Sequence, residues 1–131
     1  MKEYADNVAF FNKTIVGIPL RDKGLLSEDE LKHLTKCIDE EKTELIEAHE
    51  NHDFIGAIDA SIDLIYFVLG GLYKMGVSPE EIEKCATAVH HCNMTKKRGQ
   101  KEGRIVGNVG DAVKDTDWIG PEERIAKIIG G

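Results

Sequence analysis

From residue 54 to residue 75 the chain is apolar at positions 55, 58, 62, 65, 66 and 69. Steps of three and four match the period of an α-helix rather than the alternation of a strand, although residues 64–69 alone would also suit a strand. The pattern predicts a helix over 54–75, with Asp53 as its N-cap and Gly76 as its C-cap. Upstream, Leu31, Leu34, Ile38, Leu45 and Ala48 repeat at the same period and predict a second long helix. Ser27 followed by Glu30 has the spacing of a capping box and fixes where that helix starts.

Weaker patterns flank this pair. Tyr4, Val8 and Phe11 form a stripe on an opening helix over residues 1–13, followed by a loop over 17–24. Ser78-Pro79-Glu80-Glu81 combines a cap, a proline at the first helical position and acids in the first turn, so a fourth helix should run to about Lys96. Its stripe is Ile82, Cys85, Ala86, Val89 and Asn93. Five glycines among many charges between 98 and 120 read as an irregular arm, with a short strand pair near Arg104-Ile105-Val106 and a final helix over 121–129. The fold class is all-α: a bundle of four to five helices in one domain, with its helical core over 1–97 and an arm over 98–131.

Polar residues that intrude on the apolar stripes carry the chemistry. Asp59 and Asp63 interrupt the most apolar helix, where a lone buried carboxylate costs several kcal/mol, roughly, unless it is paired or holds a metal. In the preceding helix the stripe lands on Glu41, between Ile38 and Leu45, with Glu44 on the same face. Glu40 lies on the flank, and Glu47 follows Glu40 and Glu44 at helical spacing. Two antiparallel helices joined by the short Asn51-His52-Asp53 link would bring Glu41 and Glu44 to Asp59 and Asp63. Four carboxylates are hard oxygen donors suited to Mg²⁺ or Mn²⁺. The chemistry to expect is metal-assisted attack of water on a phosphoanhydride. Read separately, the glutamates would be a solvated helix face and the aspartates a structural pair.

Composition narrows the partners. Among 131 residues, 41% are hydrophobic and only 6% aromatic, which fits an aliphatic helical interior. A net charge of −7 argues against polymeric nucleic acid as partner but not against a nucleotide bound through a divalent metal. Three cysteines without a CxxC spacing suit a reducing cytoplasm, with Cys85 and Cys92 read as small core residues. No signal peptide is evident, and the longest apolar run, 64–73, is short for a bilayer. Generous apolar faces on few helices predict a homo-dimer or tetramer that completes the bundles.

The segment Glu40-Glu41-Lys42-Thr43-Glu44 resembles the EExxE motif of the all-α NTP pyrophosphatase superfamily, which includes MazG-like and phosphoribosyl-ATP pyrophosphohydrolase-like proteins. The downstream ExxD of that group is met at Asp63, but Ala60 stands at the glutamate position. Asp59-Ala60-Ser61-Ile62-Asp63 is closer to the Asp-x-x-x-Asp form of small phage and bacterial MazG-like proteins. Tyr73-Lys74-Met75-Gly76-Val77, the stretch Asn93-Met94-Thr95-Lys96, and Gly110 to Lys114 with Trp118 and Pro121 extend the resemblance over residues 30–121.

The resemblance implies hydrolysis of a (d)NTP to (d)NMP and pyrophosphate. Metal would be held by Glu41, Glu44 and Asp63 with help from Asp59, and Glu40 would orient or deprotonate the water. It also implies that Asn93, Lys96 and Lys114 contact the nucleotide. Read as local features, Lys96 is a helix C-terminal cation, Lys114 an exposed loop lysine and Trp118 a packing anchor or a stacking platform. Two alternatives stand beside this reading. One is an enzyme specific for phosphoribosyl-ATP, dUTP or dGTP; the other is a non-catalytic helical module that binds cations or a partner.

Overall fold

The computed structural model describes residues 1–99 and 111–130. Its elements are α1 (Lys2–Phe11), a π-helical turn (Asn12–Val16), α2 (Glu28–Glu50), α3 (Phe54–Lys74), α4 (Pro79–Asn93), β1 (Lys97–Gly99), β2 (Asp111–Val113) and α5 (Glu122–Gly130). The all-α expectation holds. The chain resolves into two compact units, Met1–Ile82 and Glu83–Gly131.

In the first unit the helix ends follow the capping chemistry. The Glu30 N–H donates to Ser27 Oγ at 3.1 Å, and the Ser27 N–H donates to Glu30 Oε1 at 3.0 Å. Ser78 and Glu81 repeat the arrangement at 3.2 and 3.0 Å. Asp53 caps α3 by accepting from the Gly56 N–H. The C-cap of α3 is Met75, one residue before the expected Gly76, which follows as the left-handed closing residue at φ +81°.

The core of this unit gathers Ala5, Val8, Leu69 and Ile82, with Tyr4, Tyr66, Leu72 and Val77 packed around them. Tyr66 receives the rings of Tyr4 and Phe11 edge-on, at centroid distances of 6.1 and 5.4 Å. Helices α2 and α3 pair along their length. At Gly71 a Cβ would come within 2.8 Å of Leu34 Cδ2, so a side chain there would oblige Leu34 to shift.

The outward face of α3 departs from expectation. Ile55, Ile58, Ile62 and Ile65 of the apolar stripe are exposed, together with Phe54 and Val68, while Ala60, Leu69, Gly71 and Tyr73 are buried. The helix is apolar on nearly every side, so periodicity alone does not choose the inward face; Leu69 packs into the core with Ala5 and Val8, and Gly71 faces Leu34 of α2. Leu31 is likewise exposed rather than in the core. Taken whole, α3 is long and apolar enough to cross a membrane by length and composition, with a mean hydropathy of 1.6. The 64–73 run alone therefore understated it.

The second unit holds β1 and β2, paired antiparallel with Lys97 opposite Val113 and Gly99 opposite Asp111. Helix α5 matches the final helix read from sequence. The strand expected at 104–106 lies outside the described residues. Helix α4 ends at Asn93, three residues before Lys96. All three cysteines are free.

Candidate active site

Helical phase distributes the acids of α2. With about 100° between successive residues, Glu41 falls on the α3-facing side and Glu40 and Glu44 fall to its edges. Accordingly Glu41 is buried, and Glu40 and Glu44 are exposed. Glu44, on the same face as Glu41, lies at its rim, because Leu45 continues the inward stripe. Glu40 and Glu44 border a shallow depression on the outer side of α2 with Lys32, Lys36 and Thr43. On α3, Asp63 is half-buried and Asp59 is exposed.

The electrostatics tie these groups together. Glu41 Oε2 is buried without a hydrogen-bond partner. Burial pushes the Glu41 carboxyl up to about 7, helped by the hydrogen-bonding approach of Glu44 and by the charges of Glu44, Asp63 and Asp59. Asp63 is also raised, by burial first and then by Asp59 and Glu44. The charges of Glu44 and Asp59 thus reach both Glu41 and Asp63. Among the described residues, no three acidic, imidazole or thiol groups converge closely enough to hold a metal as they stand.

One turn along α2 and α3 from Glu41 and Asp63, a cavity of about 230 Å³ opens, lined in part by Phe11, Asn12, His33, Cys37, Tyr66 and Phe67. Sequence reasoning missed it. Its inner end is shaped by the π-helical turn, where the buried Asn12 donates its Nδ2 to Val8 O at 2.9 Å. Nothing in the residues 12–16 announces a π-turn, and only the lone buried asparagine marks it. Cys37 Sγ lies 3.7 Å from His33 Nε2.

The second unit contains the other predicted residues. Asn93 is exposed at the end of α4, Lys96 is half-buried and Lys114 is exposed after β2. Lys96 and Lys114 meet at one ring: their Nζ atoms lie 5.1 and 4.7 Å from the Trp118 centroid. The Trp118 Nε1–H donates to Cys92 O at 3.1 Å.

A family-model match places this all-α fold in the MazG-like NTP pyrophosphatase superfamily. Within it, the chain belongs to the phosphoribosyl-ATP pyrophosphohydrolase family, whose model matches residues 18–90, more than half of the sequence. It is therefore a hydrolase of phosphoanhydride bonds, which sets aside the non-catalytic module. The match spans α2, α3 and most of α4. No curated protein matches the chain.

Proposed function

We propose that the protein is a divalent-metal-dependent nucleoside triphosphate pyrophosphohydrolase whose reaction occurs at the α2–α3 carboxylates. The observation that carries this reading is the unpartnered, buried Glu41 Oε2 among Glu44, Asp59 and Asp63. Hard oxygen donors, an orphaned oxygen and mutual repulsion are together what a divalent cation relieves, so the residues fit Mg²⁺ or Mn²⁺. Glu41, Glu44 and Asp63 would hold it, with Asp59 in support. Once bound, the cation supplies positive charge against the polyphosphate.

Glu40, exposed at the edge of the seam, orients the attacking water and takes its proton. Water oxygen bonds to the α-phosphorus, the bond from that phosphorus to the α–β bridging oxygen breaks, and pyrophosphate leaves. Asn93, Lys96 and Lys114 are the nucleotide contacts. The cavity beside Glu41 and Asp63 is smaller than the ~300–1,000 Å³ of a typical ligand pocket, which suits a part of the nucleotide rather than the whole.

The family match favours a second reading, in which phosphoribosyl-ATP is the dedicated substrate. A panel of NTPs, dNTPs and phosphoribosyl-ATP, assayed for pyrophosphate release with Mg²⁺ or Mn²⁺, separates the two. Turnover equal to wild type in a Glu41→Gln, Asp63→Asn double variant would sink the site assignment.

The reading extends to self-association. A second copy covers the exposed α3 row of Ile55, Ile58, Ile62 and Ile65. Two aspartates on the same helix would be stranded in lipid, which favours a protein partner over a bilayer. Light scattering should give a dimer or tetramer, and Ile62→Glu should shift it toward monomer; a monomeric wild type rejects this part. A reducing, cytoplasmic setting accords with the three unbridged thiols.

A further inference from the structure

We propose that Trp118 is a positioning residue that presents Lys96 and Lys114 as one paired-cation site for the phosphate chain of the substrate. The inference deepens the function proposed above and rests on it. It begins from a local imbalance of charge. Lys97 has its own partner, Asp115, at 3.0 Å. Lys96 and Lys114 have no carboxylate partner among the described residues, and both lie over the one indole.

Both ammoniums fall within the range of cation–π attraction, and their shared ring keeps them within roughly 10 Å of one another. Two like charges held together, with no carboxylate paired to either among the described residues, favour a ligand carrying several negative charges on one chain. A di- or triphosphate is such a ligand, and lysine meets it as a point charge.

The ring is fixed from two sides. Its Nε1–H is tied to Cys92 O in the last turn of α4, and its backbone N–H donates to Asp115 O at 3.1 Å. Cys92 O also accepts from Thr95 Oγ1 at 2.7 Å, which holds the chain leading into Lys96. One indole therefore links a lysine just after α4 to a lysine just after β2. An indole that only filled space would not need two cations over it.

Trp118 is the sole tryptophan, so its fluorescence reports directly on this cluster. The test titrates the full-length protein with inorganic tripolyphosphate, followed by fluorescence and calorimetry, with sulfate at matched ionic strength as control. We expect saturable binding and a fluorescence change with tripolyphosphate but not sulfate. Lys96→Gln and Lys114→Gln should each weaken that binding about tenfold. For nucleotide turnover, Trp118→Leu should raise KM about tenfold with kcat nearly unchanged. Trp118→Phe, which keeps a π face and loses the bond to Cys92, should recover most of that loss.

Absence of tripolyphosphate binding, or Lys variants that bind as wild type, overturns the paired site. A Phe variant no better than Leu overturns the positioning role. Because tripolyphosphate binding needs no turnover, the two proposals fail separately. Binding without nucleoside triphosphate hydrolysis rejects the proposed substrate, and hydrolysis without binding rejects this site.

Discussion

Glu30 and Glu41 stand on the same helix, about three turns apart, and their carboxyl groups are displaced in opposite directions. Glu30 is held down to about 2, chiefly by the Ser27 backbone N–H and then by Arg21, whose guanidinium lies 2.6 Å away. Glu41 is pushed up to about 7 by burial and by three other acids. Glu81 repeats the first case at the start of α4, lowered by the Ser78 N–H and Lys23, and Asp63 repeats the second on α3. The same functional group therefore serves two ends. At a helix start each carboxylate oxygen finds a donor and the charge stabilises the fold. In the seam Glu41 Oε2 has no donor, and burial beside other acids favours the protonated carboxyl.

Substitutions at the two places should separate these roles. The largest effect belongs to the seam: Glu41→Gln or Asp63→Asn should lower kcat/KM for nucleotide hydrolysis on the order of 100-fold or more, read from steady-state pyrophosphate release. The same Glu41→Gln should raise the melting temperature of metal-free protein near pH 8, because it removes a repelled, orphaned charge. Activity and stability would then move in opposite directions at a single residue.

Acidity should discriminate next. Glu41 binds its proton more tightly folded, at about 7, than its ordinary value of 4.5, so its contribution to stability is full below 4.5 and lost as pH rises through 7. Glu30 has the opposite sign: its contribution is present above 4.5 and lost as pH falls toward 2. Melting temperature of the metal-free protein should therefore climb on acidification through 7 and fall again well below 4.5. In Glu41→Gln the climb through neutrality should be much reduced. An undiminished slope would assign it to other groups.

Smaller effects belong to the helix starts. Ser27→Ala and Ser78→Ala should each cost about 1 kcal/mol in denaturant melts while leaving kcat unchanged. Smallest is Glu30→Gln, which keeps the reciprocal cap but loses the ion pair with Arg21. Its deficit should shrink as the pH falls, and a constant deficit would show that packing rather than charge is at work.

Local chemistry was the legible part of the sequence. Ser27 with Glu30, Ser78 with Glu81, Asp53 and Gly76 each act on backbone groups a few residues away, so their spacing was enough to set the helix boundaries. The burial of Glu41 was legible for the same reason: it follows from the phase of one helix. Choices between helices were not legible. Glu44 fell to the rim because its phase differs from that of Leu45 against α3. The isoleucines of α3 faced out while Ala60, Leu69, Gly71 and Tyr73 faced in, and a helix apolar on most sides gives periodicity little to discriminate. The meeting of Lys96 and Lys114 on Trp118 depends on β1 and β2 pairing, which no single stretch of sequence encodes.

Gly76 carries a consequence for how this chain can vary. A side chain there would have to accept a left-handed backbone and also place its Cβ 2.6 Å from Arg21 O and 2.7 Å from Asp22 O. The two penalties have unrelated origins, torsional in one case and steric in the other. Retracting the loop around Arg21 and Asp22 would relieve only the second, and would give up the Gly24 N–H bond to Met75 O at 3.1 Å. No single neighbouring change rescues both. Drift in sequence can reshape the isoleucine row or the loop tips piecemeal, but at this junction it has almost nowhere to go.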